Sequence, residues 1–287
     1  MGLSFVSRRA LAVGAMVVAG ALGLSACGGG ETTGASTGDG ASSNAPAAAS
    51  GPKLVSPGKL TTCTNLPYEP FQFKEGDKVV GFDVDIVDLA AKKLGLQQEI
   101  VDIDFAVIKS GAAMAAGKCD VAAAGMTITP ERQANITFSV PYFDATQALL
   151  AKKGLGVKTL EEIKAKNLKL GAQASTTGLD YVKKQGLNPK EFADSPKELL
   201  GLQSGQADVI VQDLPVVLTW LKKPEIADKF ELVASLDTGE QYGIGLKKQA
   251  DPILLKAIND AITTAKSDGT YEQIFVKWFG KKPGELG

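Results

Sequence analysis

The sequence predicts an α/β protein of two similar lobes, each a mostly parallel sheet flanked by helices, joined by two crossings that form a hinge. Three observations point there. Strand and helix patterns alternate over Lys59 to Gly125 and again over Leu168 to Gln212, an order that gives parallel strands with right-handed crossovers. Both stretches close on a related segment, Gly117-Lys118-Cys119-Asp120-Val121 in the first and Gly205-Gln206-Ala207-Asp208-Val209 in the second. Two extended segments, Thr146 to Lys152 and Tyr242 to Leu246, are placed to pair as crossings between the halves.

In order along the chain, Lys59 to Asn65 reads as a strand. Gly81-Phe82-Asp83 leads into a helix with apolar Ile86, Leu89, Ala90 and Leu94, stopped by Gly95. Glu99 to Ile103 is the next strand, Val107 to Ala116 a helix, and Cys119 to Gly125 a buried strand of small residues. In the second half Leu168 to Gln173 is a strand and Thr177 to Gln185 a helix. Ser195-Pro196-Lys197-Glu198 opens a further helix, with Ser195 as N-cap and Glu198 as capping-box partner. Asp208 to Gln212 follows as a buried strand. Helices from Asp251 to Lys266 and Tyr271 to Phe279 are expected to pack back on the first lobe, so the lobes are expected over 59–146 with 243–283, and over 147–242.

The 287 residues carry 31 basic and 32 acidic side chains and no histidine. A net charge of −1 supplies no field for phosphates, so no nucleic-acid partner is expected. Without histidine no Ser-His-Asp triad, Cys-His pair or His-ligated metal can be built, and neither metal nor cofactor is expected. Carboxylate, lysine and tyrosine chemistry stays open.

Residues 1–26 read as a secretory signal: Arg8 and Arg9 precede an apolar run from Ala10 to Leu24, followed by Leu24-Ser25-Ala26-Cys27. The run of about 15 residues is short of the roughly 20 needed to span a bilayer. Leu24 to Cys27 resembles a lipobox, which implies cleavage before Cys27, diacylglycerol on its sulfur and anchoring to the outer face of the cytoplasmic membrane; Ser7-Arg8-Arg9 also fits twin-arginine export. From Gly28 to Pro52 only Glu31, Asp39 and Asn44 interrupt Gly, Ala, Ser, Thr and Pro, a composition for a flexible tether, and the anchor and linker are taken as 27–58.

Past the signal the chain keeps 28 lysines and one arginine, Arg132. Lysine serves for solubility throughout, so one retained guanidinium marks a place for a planar, bidentate fork. In Met126-Thr127-Ile128-Thr129-Pro130-Glu131-Arg132, Thr129 is a good N-cap and Pro130 a good first helical residue, which puts Arg132 in a first turn. There a cation opposes the helix dipole by about 0.3–1 kcal/mol unless an anion lies between them. A carboxylate held by the fork and by N–H groups near Thr127 resolves the conflict.

Other loops also fall at the carboxyl ends of strands, where open α/β sheets bind ligands. Gln173-Ala174-Ser175-Thr176-Thr177-Gly178 is a second anion-seeking helix start. Asp213 either holds an ammonium or caps the helix before Pro215. Tyr68, in Leu66-Pro67-Tyr68-Glu69-Pro70-Phe71, and Phe105 either lie against a ligand side chain or cover their own lobe's core. A guanidinium in one lobe and a carboxylate in the other match the zwitterion of an α-amino acid.

Tyr68-Glu69-Pro70-Phe71, Gly81-Phe82-Asp83-Val84-Asp85, Ala124 through Arg132, Phe138-Ser139-Val140-Pro141-Tyr142, the Gln173 to Gly178 loop, and Asp268-Gly269-Thr270-Tyr271 through Trp278-Phe279-Gly280 together resemble the amino-acid-binding receptors of ABC importers, bacterial solute-binding protein family 3, with the type II periplasmic binding protein fold. The likeness spans Lys59 to about Gly280. It implies that Arg132 grips the ligand α-carboxylate with help from Thr127 and Thr176. It further implies that Asp213 and the Gly125 carbonyl hold the α-ammonium, and that Tyr68 and Phe105 sandwich the side chain. Asn65 stands where relatives often carry an acid that touches the side-chain end, which favours a neutral polar ligand, with Glu69 or Asp83 available to a basic one. The stretch from Phe105 to Asp120 is two residues longer than the family pattern. Cys63 and Cys119 lie on strands expected to be neighbours, and outside the cytoplasm they either pair as a disulfide or stay buried thiols.

The expected protein is therefore a monomeric, lipid-anchored receptor that closes on a free amino acid, polar or basic, and delivers it to an ABC permease in the same membrane. The alternatives are a cyclohexadienyl-dehydratase-like enzyme on the same fold, with a cleft carboxylate as general acid, and a sensing module of a signalling receptor. The first lacks a spare catalytic group beside the clamp. The second is disfavoured because no further domain follows Gly287.

Overall fold

A computed structural model describes residues 51–286; the expected signal, Cys27 and most of the tether lie outside the described residues. The elements in chain order are β1 (Lys59–Thr64), β2 (Phe73–Glu75), β3 (Lys78–Val80), α1 (Phe82–Lys93), β4 (Gln97–Asp102), α2 (Phe105–Lys109), α3 (Ala112–Ala115), β5 (Val121–Ala122), α4 (Pro130–Gln133), β6 (Ile136–Phe138) and β7 (Phe143–Lys152). They continue with α5 (Leu160–Ala165), β8 (Leu170–Gln173), α6 (Thr177–Lys184), β9 (Lys190–Phe192), α7 (Ser195–Gln203), β10 (Val209–Asp213), α8 (Leu214–Trp220), α9 (Pro224–Ala227), β11 (Phe230–Tyr242), β12 (Gly245–Lys247), α10 (Pro252–Asp268) and α11 (Thr270–Phe279).

Two five-stranded sheets result, in the orders β4-β1-β5-β12-β6 and β11-β7-β10-β8-β9. The α/β class and the paired lobes are as expected, but each sheet is mixed. β1 pairs parallel with β4 and β5, and β8 pairs parallel with β9 and β10. The remaining pairs, through β12 and β7, are antiparallel. These are the strands that flank the passages between lobes, so the reversed direction follows from the chain leaving one sheet and returning. β7 and β11 pair along their length, from Phe143 opposite Tyr242 to Lys152 opposite Phe230.

β1, β5 and β10 are buried on both faces, as expected of central strands covered by helices on each side. α10 and α11 pack on α1, and rings of α1 and α11 join the crossing. Phe143 stacks on Tyr242 at 5.3 Å, while Phe71 meets Phe143 at 5.1 Å and Phe82 meets Phe279 at 5.0 Å. Such contacts add to the burial of the rings themselves. The chain joins this body before β1: the N–H groups of Lys53 and Val55 donate to Asp251 and Asp120. Among the described residues no helix is long and apolar enough to cross a membrane.

Two local expectations are corrected. The helix expected over Val107 to Ala116 is two short ones, α2 starting earlier at Phe105 under an Asp104 cap, then a break at Gly111, whose φ of 80° is left-handed. Glycine meets that turn without the steric penalty of a side chain. The N-cap of α7 is Asp194 rather than Ser195, and it accepts the N–H of Lys197. Glu198 makes no capping box and is fully buried.

Cys63 and Cys119 form a disulfide that closes a span of 56 residues. Both cysteines are buried in the core behind the loops of the first lobe. Replacing both with serine is expected to cost about 2–4 kcal/mol in denaturant unfolding, with a mass two hydrogens lower for the unreduced native chain than for the reduced one; an unchanged mass on reduction contradicts the pairing.

Candidate functional site

The parallel strands aim their carboxyl ends into one cleft, and the loops that leave them supply its walls. β1 leads to Asn65 and Tyr68, β4 to Phe105, and β5 to Gly125, Thr127 and Arg132; β8 ends at Gln173 before Thr176, and β10 ends at Asp213. All nine of these residues line a single cavity, together with Gln72, Ala124 and Thr177. Residues up to 148 positions apart thus meet because two βαβ units place equivalent loops face to face.

Arg132 sits in α4 as the spacing predicts: Thr129 Oγ1 accepts its N–H at 3.2 Å and Pro130 opens the helix. Its side chain is 6% exposed. Nη1 donates to the Thr127 carbonyl at 2.9 Å, and Nη2 reaches across the cleft to the Ser175 carbonyl at 3.4 Å. The guanidinium carbon lies 5.4 Å from the centroid of the Phe105 ring, within cation–π range. Burial lowers the pKa of the guanidinium, opposed by Glu240, Asp180 and Asp213. A guanidinium has five donors, so donors remain for an anion. Phe105 thereby orients Arg132 in addition to walling the cavity.

On the facing wall, Ser175 holds a positive φ of 68°, rare for a residue with a side chain. It turns the loop into α6, where Thr176 caps by accepting the Leu179 N–H at 3.2 Å. The Thr176 hydroxyl also donates to the Gln173 carbonyl at 2.8 Å. With the hydroxyl so engaged, the first turn of α6 offers the cleft its N–H groups. Thr127 Oγ1 and Thr177 Oγ1 lie 3.2 Å apart across the cleft.

Asp213 is 8% exposed and makes no cap to α8, so the capping role open in the sequence is not taken. Oδ2 instead accepts from the hydroxyls of Tyr68 and Tyr242, and Oδ1 from Gln147 Nε2 at 2.6 Å. Burial pushes its carboxyl above the usual range, opposed by those donors. All of them are neutral, and a buried carboxylate without a cation is costly. Tyr68 has a second acceptor, Gln212 Oε1 at 2.8 Å, which is oriented by Gln212 Nε2 donating to Glu198 at 2.7 Å.

Gly125 completes this corner. Its φ is 55° and an added Cβ would stand 2.9 Å from the Tyr68 ring, so only glycine lets backbone and ring approach there. Asn65 is turned to the Ile103 carbonyl by its Nδ2 at 3.1 Å. The two acids considered for a basic ligand are elsewhere. Asp83 is 1% exposed beneath Gly125, and Glu69 pairs with Lys223 of the other lobe at 3.4 Å.

Sequence reasoning missed Gln72, whose buried Oε1 has no partner among the described residues. The side-chain oxygen of Gln173 is likewise buried and unpartnered. It also missed the donors that surround Asp213, because Gln147 and Tyr242 lie on the crossings and reach Asp213 only through the pairing of β7 with β10 and β11. A polar residue between two phenylalanines, Phe71-Gln72-Phe73, was the one available signal for Gln72.

The family model described as bacterial extracellular solute-binding proteins, family 3, matches residues 60–281. A protein of Neisseria gonorrhoeae named "probable histidine-binding protein" is 32% identical over 95% of this chain and 97% of its own length. The solved structure of an ancestral arginine-binding protein bound to glutamine is 39% identical, with a TM-score of 0.71 over 78% of this chain and 99% of that one. The arginine-, lysine-, histidine-binding protein ArtJ of Geobacillus stearothermophilus is 31% identical, with a TM-score of 0.70 over 79% of this chain and 97% of that one. The match of the family model over most of the chain makes this protein a member of the bacterial extracellular solute-binding proteins, family 3.

Proposed function

We propose that the protein is the extracytoplasmic receptor of an ABC importer and closes on a free α-amino acid between its lobes. One observation carries this: Arg132 and Asp213, the guanidinium and the carboxylate that line the cleft, stand on opposite walls of the same cavity, at the separation of roles an amino-acid zwitterion needs. Arg132 takes the α-carboxylate with its remaining donors, aided by the N–H groups at the start of α6. Asp213 takes the α-ammonium, together with the Gly125 carbonyl. The Tyr68 hydroxyl carries one proton and has two acceptors, so it can leave Asp213 to the ammonium and keep Gln212.

The side-chain end is met by amides. Gln72 and Gln173 both line the cavity and each carries a buried side-chain oxygen without a partner among the described residues, and a buried acceptor without a donor costs about 1–3 kcal/mol. A ligand side chain rich in N–H groups satisfies them, whereas a carboxylate adds only acceptors. The reading is thus a basic or amide amino acid. Because the ligand contacts both lobes, expected over 59–146 with 243–283 and over 147–242, it stabilises the closed arrangement by the contacts that closure alone completes. Lipid on Cys27 holds this monomer beside the permease. Asp213, with three donors already on it, is the carboxylate that a dehydratase-like enzyme would need free as its acid.

Calorimetric titration of the mature chain with each of the twenty amino acids tests this. Binding is expected among arginine, lysine, histidine and glutamine, with aspartate and glutamate weaker than any of them. Heat from none of the twenty removes the function.

A further inference from the structure

Asp83 is the second residue of α1, inside the lobe and 1% exposed. It faces no ligand, yet both of its oxygens are used. Oδ2 accepts the N–H of Gly125 at 2.8 Å and Oδ1 accepts the hydroxyl of Tyr142 at 2.7 Å. Gly125 is the backbone wall of the ammonium corner, at a left-handed φ of 55°. Tyr142 immediately precedes β7; its N–H donates to the Tyr242 carbonyl at 3.0 Å, and the Tyr242 hydroxyl donates to Asp213. A continuous path therefore runs from Gly125 through Asp83 to the crossing and back to Asp213.

We propose that Asp83 is a positioning residue for ligand binding, one that fixes the Gly125 wall of the ammonium corner to the crossing between lobes. This rests on the amino-acid reading of the cleft. A carboxylate is an expensive way to hold two neutral donors in a core, because an amide of the same shape buries at lower cost. Burial raises its pKa to about 7, against the hydrogen bonds from Gly125 and Tyr142. What the carboxylate adds is negative charge behind the corner where an ammonium is to sit, together with a firm hold on the Gly125 N–H. The titratable groups facing it are Tyr142 from the crossing, with Tyr271 of α11 behind it, and Tyr68 across the Gly125 turn, with Asp213 beyond.

The test is Asp83→Asn in the mature chain, titrated with L-arginine, L-lysine, L-histidine and L-glutamine between pH 5.5 and 8.5, with melting of the unliganded protein at each pH. At pH 8 the variant is expected to bind about 10-fold more weakly, with the gap closing as pH falls through about 7 and the wild-type carboxyl takes up its proton. Melting should move the other way. The folded state raises this carboxyl from 3.8 to about 7, so the native chain binds more protons than the unfolded one and loses stability as pH climbs through that window. Asparagine escapes the loss, and the variant should melt no lower than wild type at pH 8. Unchanged affinity, or affinity and melting temperature falling together at every pH, overturns the proposal. If Asp83→Asn does not fold, Tyr142→Phe removes the other tie and should weaken the same four probes at pH 8; unchanged binding there overturns it as well. Failure of the wild type to bind any of the four removes the amino-acid reading itself, a result distinct from a wild type that binds and a variant that binds equally.

Discussion

An Arg132→Lys variant folds like the wild type and loses amino-acid binding by at least about 100-fold, on the order of 3 kcal/mol. The substitution keeps the charge and removes the fork. In the native site one arm of the guanidinium holds the Thr127 carbonyl and another reaches the Ser175 carbonyl, while its carbon lies 5.4 Å from the centroid of the Phe105 ring. A lysine ammonium is a point charge on a flexible stem. It can satisfy one of those carbonyls or a ligand carboxylate, but it cannot hold the wall and present a planar pair of donors together. Stability should change little, because α4 spans only Pro130–Gln133 and its cap is the Thr129 side chain bonded to the backbone N–H of residue 132, which the substitution leaves in place. Calorimetry with melting curves reads both quantities; affinity within about threefold of wild type would remove Arg132 from the carboxylate role.

Asp213→Asn is expected to weaken binding by a comparable factor while leaving the unliganded protein as stable at neutral pH, or more so. The carboxylate is buried among two tyrosine hydroxyls and an amide, and burial raises its pKa. A folded state that raises a carboxyl above its unfolded value gains from the protonated form and loses that gain as pH rises through the folded pKa. Asparagine removes the loss. Its oxygen still accepts from the tyrosines, and Gln147 can turn its amide to accept from the new NH₂. What no neutral group replaces is the charge opposite an ammonium. For the same reason wild-type affinity should fall as pH drops through the raised pKa of Asp213, sooner than for an ordinary aspartate, and Asp213→Asn should show a flatter profile. Equal affinity of variant and wild type at pH 8 would assign the ammonium to another group.

Much of the site was legible because it breaks the local pattern of the chain. A lone arginine among lysines, set in a first turn where a cation is disfavoured, stands out without any structure. So do a carboxylate at the end of a buried strand and a glycine before a capped turn, and the recurrence of Gly117 to Val121 at Gly205 to Val209 made the two halves visible. What stayed hidden depends on three-dimensional packing. Glu198 reads as a helix-capping acid, and only the lie of α7 over β10 buries it against Gln212. Asp83 reads as an acid at the start of a helix, available to a basic ligand, and only the Gly125 turn and the Tyr142 crossing close over it. Gln72 is one polar residue between two phenylalanines, a pattern that fits an edge strand as well as a cleft wall. The mixed sheets were missed because strand direction follows from the route of the crossings, which hydrophobic periodicity does not encode.

The central claim is a zwitterion held between Arg132 and Asp213. A crystal structure of the mature chain with the amino acid that binds most tightly tests it most directly. The account predicts the α-carboxylate paired with the Arg132 guanidinium and the first turn of α6, the α-ammonium on Asp213 and the Gly125 carbonyl, and side-chain N–H groups on Gln72 and Gln173. A ligand bound outside this cleft, or one lying in it with its carboxylate away from Arg132, contradicts the account.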